Sequence, residues 1–404
     1  MYTLITSLGT GGNTEGKGYR TTKYVFPDKK ECETNIFLKA ILETGYKEIS
    51  KIILVGTRTS GWDMLAEDNE ELWNKVFAAR ENNTMTQELI NELQKHLSEK
   101  LSIPVVIKCH TDKIDSDTSL EIFNIYNSII PEITDENILF DITHGFRSMP
   151  VLLYQALQFS VSQNPKIKNV ELIYGEYNDN DKKSYVRNLS NYWKYSQISD
   201  ALTLFKEKLD GTRLAELINN VWSAGSKAIK RFTEIVQTNF CLQFIDVSRQ
   251  MKNAISKYPE NAPEYLNDVK NILEELCKLV NEKYRSRTLY NLSKYLYGHK
   301  LNVQAVICLQ VAVEVCECEH QKCENYIGNY DWWQEHGKQG LQVTKKNNFR
   351  EIKNPLDNLE WFRNQIAHGG ATNREGNFPN AANIPNIYES GKRGLENLFK
   401  EYGF

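Results

Sequence analysis

Arg363-Asn364-Gln365-Ile366-Ala367-His368 sets a permanently charged guanidinium and an imidazole at a fixed spacing, with a dipolar amide beside the arginine. Those groups suffice to cleave RNA without a metal, because the 2′-hydroxyl of RNA is an internal nucleophile next to the scissile phosphate. His368 can act as general acid or base, its ordinary pKa being about 6.5, and a place at a helix C-terminus favours its imidazolium form. Arg363 offers a planar fork to phosphoryl oxygens as negative charge gathers on them. Asn364 would orient His368 or the phosphate. The expected products are a 2′,3′-cyclic phosphate and a 5′-hydroxyl, and DNA should be inert.

The element that must carry these residues is a helix with clear punctuation. Asn354 reads as its N-cap, Pro355 as its first helical position and Gly369 as its left-handed stop, which predicts a span of about Pro355 to His368. Residues five apart lie about 140° around a helix axis, so Arg363 and His368 do not share a face, whereas Asn364 and His368 do. One copy is therefore half a site. Two copies meeting across a two-fold axis would bring two arginines and two histidines to one phosphate, and a homodimer is the expectation. A solvated helix end is the bland alternative; Gly369-Gly370, the cap residues and the flanking Trp361 and Phe362 weigh against it.

A chain of 404 residues exceeds what one hydrophobic core usually organises, so two domains are expected. With 41% hydrophobic and 25% charged residues it is globular, neither collagenous nor disordered. The net charge of -3 means that any RNA contact must be local. Met1 to Ile5 reads as a strand rather than a secretory leader, and no apolar run is long enough to span a membrane, so a cytoplasmic protein is expected. Eight scattered cysteines argue for reduced thiols. Cys316, Cys318, His320 and Cys323 cluster, and Cys316, His320 and Cys323 would share a helix face; with no fourth ligand in evidence, no metal site is assigned.

Residues 1 to about 175 alternate β-branched runs with amphipathic segments, the pattern of a Rossmann-like, mostly parallel sheet covered by helices. Strands are expected at Tyr2 to Leu8, Lys51 to Val55, Ile103 to Ile107, Ile138 to Asp141 and Val170 to Tyr174, with Ser184 to Leu189 as a closing strand. Helices are expected at about Cys32 to Glu43, Met64 to Ala79, Thr86 to Leu101, Thr118 to Ile130 and Met149 to Ser160. Ligands of such sheets sit beyond the carboxyl ends of the strands. Three loops there are rich in small, hydroxyl and cationic residues: Gly9 to Thr14, Gly56 to Asp63 and Thr143 to Ser148. Small residues let backbone N–H groups approach a phosphate, and Arg58 or Arg147 can supply charge. A nicotinamide-cofactor site is disfavoured, because Thr14 stands where the third glycine of that fingerprint belongs.

From about Ser196 the period becomes helical, with segments at Ala201 to Leu209, Leu214 to Gln237, Tyr265 to Tyr284 and Val303 to Glu319, which sets a domain boundary near Tyr195. Val303 to Val315 is apolar on nearly every side and reads as a central core helix without chemistry.

Together these residues resemble the CARF–HEPN ancillary ribonucleases of type III CRISPR systems. Arg363 to His368 is similar to the arginine–histidine motif of HEPN nucleases, including the asparagine after the arginine. Asp141 to Ser148 and Gly56 to Asp63 look like CARF ligand loops. The resemblance implies an α/β plus all-α chain, with a CARF ligand-sensing domain at 1–195 and a helical HEPN ribonuclease domain at 196–404. It implies a homodimer activated by cyclic oligoadenylate, cutting single-stranded RNA with Arg363, Asn364 and His368, and needing no further cofactor. Thr10, Gly11, Thr57, Ser60, Trp62, His144, Gly145, Phe146, Arg147 and Ser148 are the expected ligand contacts, with Trp62 or Phe146 stacking adenine and Arg147 pairing with phosphate. Two alternatives stay open: a non-catalytic sensor whose helical half only dimerises or binds a partner, and a self-limiting enzyme that also cleaves its activator.

Overall fold

Tyr2-Thr3-Leu4-Ile5 and Ile52-Ile53-Leu54-Val55 are uninterrupted β-branched or apolar runs, as required of strands covered on both faces. The computed structural model describes residues 1–10, 13–14, 18–19, 21–113, 115–144, 148–164, 166–367 and 381–404. The chain divides into two compact units, Met1–Ser196 and Gln197–Phe404.

In the first unit the order is β1 (Tyr2–Leu8), the short pair β2 (Asn13–Thr14) and β3 (Gly18–Tyr19), β4 (Thr22–Val25), β5 (Glu31–Thr34), α1 (Phe37–Thr44), β6 (Ile49–Thr57), α2 (Glu70–Glu81), α3 (Gln87–Leu101), β7 (Val105–His110), α4 (Ser119–Asn127), β8 (Asn137–Asp141), α5 (Ser148–Gln163), β9 (Asn169–Asn178), β10 (Lys183–Asn188) and the start of α6 (Ser190–Lys208). One eight-stranded sheet runs β5-β4-β10-β9-β8-β1-β6-β7. Its five strands from β9 to β7 are mutually parallel, while β10 is antiparallel to β9 and β5 to β4. Alternation along each strand feeds two cores. Leu4, Leu8, Ile52, Leu54 and Leu139 face α1, α2 and α3, and Ile5, Ile53, Val55, Ile138 and Phe140 face α4, α5 and Trp193.

Two expectations for the first unit are corrected. Residues 32–36 do not begin a helix: Glu31–Thr34 is a strand paired with Thr22–Val25, Cys32 and Thr34 turn inward, and α1 starts at Phe37. Met64 to Ala79 is not one helix. Trp62–Leu65 is a 3-10 turn, and α2 starts afresh where the Asn69 side chain accepts from the Leu72 N–H.

The second unit is helical: α7 (Thr212–Ile218), α8 (Ser223–Thr238), α9 (Phe244–Ser256), α10 (Tyr265–Lys278), α11 (Arg285–Gly298), α12 (Asn302–His320), the single turn α13 (Tyr330–Trp332), α14 (Lys338–Asn347), α15 (Asn354–Ala367) and α16 (Ile384–Tyr402). The central helix is α12, packed on α11, α15 and α16. α15 does not begin as expected. A π turn at Phe349–Lys353 feeds into it, so Asn354 enters with helical angles, φ -58 and ψ -46, instead of capping a free end. Gly391 and Gly394 let α16 cross close over α15; a Cβ at Gly394 would lie 2.8 Å from Pro355 Cβ. No helix among the described residues is long and apolar enough to cross a membrane.

Candidate ligand-binding and catalytic sites

Among the parallel strands the chain builds β1, β6 and β7 in one direction, then returns to lay β8 and β9 on the other side of β1. The strand order reverses between β1 and β8, which opens a crevice at their carboxyl ends. Side chains from β1 tie that crevice together. Thr6 donates to Asp141 Oδ2 at 2.5 Å, and the Ser7 hydroxyl donates to the His144 carbonyl. Asp141 also accepts from the Thr143 N–H at 2.7 Å, and Thr143 Oγ1 accepts from the Gly175 N–H at 2.8 Å. Tyr24 Oη and His144 Nε2 are 3.2 Å apart, so both the backbone and the ring of His144 are held. Burial is the main cause of two opposed shifts: it pushes the Asp141 carboxyl up and the His144 imidazole down, favouring the neutral form of each.

The loop after β6 is braced from within. Ser60 Oγ accepts from the Thr57 N–H at 2.9 Å and donates to the Leu8 carbonyl at 2.7 Å, and the Gly61 N–H reaches the Gly9 carbonyl at 2.9 Å. Trp62 is fully buried, with its Nε1–H donated to the Thr57 carbonyl at 2.7 Å. The adjoining Asp63 pairs with Arg80 at 2.7 Å, both buried. On the rim, Asp112 accepts from the Thr59 N–H at 3.1 Å and from Thr59 Oγ1 at 2.5 Å. Burial opposes ionisation of Asp112, but the Thr59 and Thr57 hydroxyls and the Thr59 N–H outweigh it and hold the carboxyl below its usual range.

The expected ligand residues thus divide. Thr10 is exposed and His144 half-buried at the crevice, whereas Thr57, Ser60 and Trp62 are enclosed and shape the loop from beneath. Trp62 is a packing wedge with no free ring face, which corrects the expectation that it stacks a base. Ser148 is the first residue of α5. Gly11, Gly145, Phe146 and Arg147 lie outside the described residues. Residue-by-residue reading passed over Tyr24 and Asp112. A lone aspartate just beyond β7, at the same strand ends as the three loops, was the available signal for the latter.

In the second unit Arg363 is 34% exposed on α15, and its NH2 group lies 3.2 Å from Glu314 Oε1 on α12. Gln310, one turn earlier on α12, donates from Nε2 to the same Glu314 oxygen at 3.2 Å. Burial raises the Glu314 pKa; Gln310 and Arg363 pull it back, and the nearby Glu360 adds to the rise. Lys345, almost wholly buried on α14, bridges to Asp357 at 2.7 Å and Glu360 at 3.8 Å. The helix read as core without chemistry therefore supplies the partner of Arg363, a correction whose physical basis is that a half-buried carboxylate needs a charge-bearing or donor partner. Asn364 is half-buried on α15, and His368 lies outside the described residues. Cys316 is buried and His320 stacks on Tyr402 with centroids 3.7 Å apart; among the described residues no group of three or more His, Cys, Asp or Glu is placed to hold a metal ion.

Residues 3–179 match the family model for the CARF domain of the CRISPR system endoribonuclease Csx1. The N-terminal unit carries a CARF domain. Along most of its length the chain is also similar to the CRISPR-associated protein MJ1674 of Methanocaldococcus jannaschii, at 23% identity over 408 aligned positions. That alignment covers 93% of this chain and 63% of the relative, so the chain spans less than two thirds of the relative's length. The CARF match takes in β1 to β9, and with them the β1/β8 crevice and the braced loop after β6.

Proposed function

We propose that the chain is a ribonuclease of type III CRISPR defence, switched on by cyclic oligoadenylate and acting as a homodimer on single-stranded RNA. What carries the reading is the coexistence, in one chain, of a CARF domain over residues 3–179 and the Arg363-Asn364 to His368 motif, which begins on α15 of the helical unit. The β1/β8 crevice offers backbone groups, the exposed Thr10 and Arg58, and the held His144 to a ring of phosphates and adenines. In the helical unit the half-exposed Arg363 has N–H donors beyond the one that meets Glu314, and these would reach the phosphoryl oxygens. His368 would move the proton and Asn364 would orient it. The activator must bind one dimer arrangement more tightly than another, since equal affinity for both would shift nothing.

The test is a fluorogenic single-stranded RNA with the purified protein and EDTA, with and without cyclic tri-, tetra- or hexa-adenylate. Cleavage is expected only with one of the rings, yielding 2′,3′-cyclic phosphate ends, and falls to a small residual rate in Arg363→Ala and His368→Ala. A folded dimer that cuts no RNA under any of these conditions refutes the proposal.

A further inference from the structure

Beyond the arginine–histidine motif, the half-site contains a half-buried acid. We propose that Glu314 is a positioning residue for cleavage: it holds the Arg363 guanidinium by one edge, so that its remaining N–H groups present a fixed fork to the phosphate. This rests on the ribonuclease reading of the same site and adds a component to it.

A free arginine side chain samples many rotamers, and a transition-state contact gains from having that freedom removed beforehand. The 3.2 Å contact between Arg363 NH2 and Glu314 Oε1 removes it, and it engages one nitrogen of a fork that carries five N–H donors. Glu314 in turn is fixed: it projects from the central helix α12, and the Gln310 Nε2 amide donates to the same oxygen. The Gln310 side-chain oxygen, buried with the residue 2% exposed, has no partner among the described residues. A buried amide that leaves its own acceptor unmatched while serving a carboxylate shows where the local structure is committed. The charges around the pair agree. Glu360 is held by Lys345 and Lys338 at 3.8 Å each, which among the described residues leaves Arg363 as the cation paired with Glu314.

Positioning depends on reach, whereas simple charge balance depends on charge, and two substitutions separate them. Glu314→Gln keeps the length and an accepting oxygen; Glu314→Asp keeps the charge and withdraws it by one methylene. With full-length protein, saturating activator and fluorogenic RNA, Glu314→Ala is expected to lower kcat about 100-fold. Glu314→Gln should stay at least about tenfold above it, because a hydrogen bond to a charged group survives. Glu314→Asp should fall below Glu314→Gln. In an Arg363→Ala background, Glu314→Ala and Glu314→Gln should change nothing further, since the residue acts only through that arginine. The inference is overturned if Asp outperforms Gln, if the Arg363 and Glu314 effects simply add, or if Glu314→Ala cuts RNA without activator, which would make the contact a restraint. Should Glu314→Ala not fold, the Gln and Asp variants and the Gln variant in the Arg363→Ala background decide the matter. Wild-type protein that cleaves no RNA removes the ribonuclease reading itself; wild-type cleavage with unaffected Glu314 variants removes this inference alone.

Discussion

Trp62→Phe separates a wedge from a stacking surface. The indole is fully buried, and the space around it has no slack, since a Cβ built on Gly56 would lie 2.6 Å from Trp62 Cζ2. Phenylalanine loses the Nε1–H, and the Thr57 carbonyl, which also accepts from the Ser60 N–H at 3.1 Å, loses one hydrogen bond at a cost of about 0.5–1.5 kcal/mol. The smaller ring also leaves a void costing about 1 kcal/mol. Together these give about 1.5–2.5 kcal/mol, or roughly a 12- to 60-fold shift in the local opening equilibrium, capped by the stability of the unit as a whole. Native-state hydrogen exchange at the Val55, Gly56 and Thr57 amides reads that opening directly. Cyclic adenylate affinity should fall in parallel, although the indole offers the ligand no face, because the loop that carries Thr57 and Ser60 loosens. Exchange within about threefold of wild type, combined with weakened ligand binding, would refute the wedge and restore a direct contact.

Three further outcomes test other parts of the molecule. Asp63→Ala removes the buried carboxylate that meets Arg80 at 2.7 Å while Glu81 stays on the guanidinium at 2.7 Å, and should cost about 3 kcal/mol, the low end for breaking a buried pair; a loss below about 1 kcal/mol in urea denaturation would show that the pair does not anchor the loop. Gly394→Ala drives a methyl to 2.8 Å from Pro355 Cβ and 3.0 Å from Leu356 Cδ2, so α16 must lift from α15 at a cost of about 1–3 kcal/mol; RNA cleavage should drop while activator binding does not, and unchanged cleavage refutes the claim that this crossing sets the Arg363 helix. Burial lowers the His110 pKa from 6.5. Its Nδ1–H is committed to the Thr111 carbonyl at 2.8 Å, so Nε2 accepts from the Tyr126 hydroxyl at 2.9 Å. The unfolded chain therefore takes up the proton first: this contribution to stability is complete above pH 6.5 and is lost as the pH falls from there toward the lowered folded value. His110→Gln should flatten that part of the pH–stability curve, and an unaltered slope overturns the assignment.

Parallel strands buried on both faces were readable because nothing else produces runs such as Ile52 to Val55 between loops of glycine and hydroxyl residues. The pair β4 and β5 was not, since four residues with Cys32 and Thr34 inward and Glu31 and Glu33 outward are too few to separate a period of two from the start of a helix. What settles them is pairing: Tyr24 lies opposite Cys32, a contact no local pattern encodes. Asn354-Pro355 carried the composition of a helix start, and the π turn before it overrode that signal by delivering Asn354 already wound. Trp62 in a glycine-flanked loop reads alike whether it points to solvent or to the core; the Thr57 carbonyl beneath it decides.

Glu314 is the opposite case, a residue whose signal was present and misweighed. Within Val303 to Val315 it is the only charged residue, and apolar periodicity assigned the whole helix to packing. Periodicity averages over a helix face and so discards a single exception. A carboxylate among apolar neighbours must be matched, protonated or solvated, and each outcome makes a structural demand that the sequence alone leaves open. Here the match is Arg363, 49 residues away on α15, the same arginine that the motif had already marked as the phosphate-binding group. The two signals, a charge where a core should be and a cation where a motif should be, were separately legible; only the packing of α15 on α12 joins them. A fold keeps a half-buried charge on its central helix when another element arrives to meet it, and α15 does so here with Arg363.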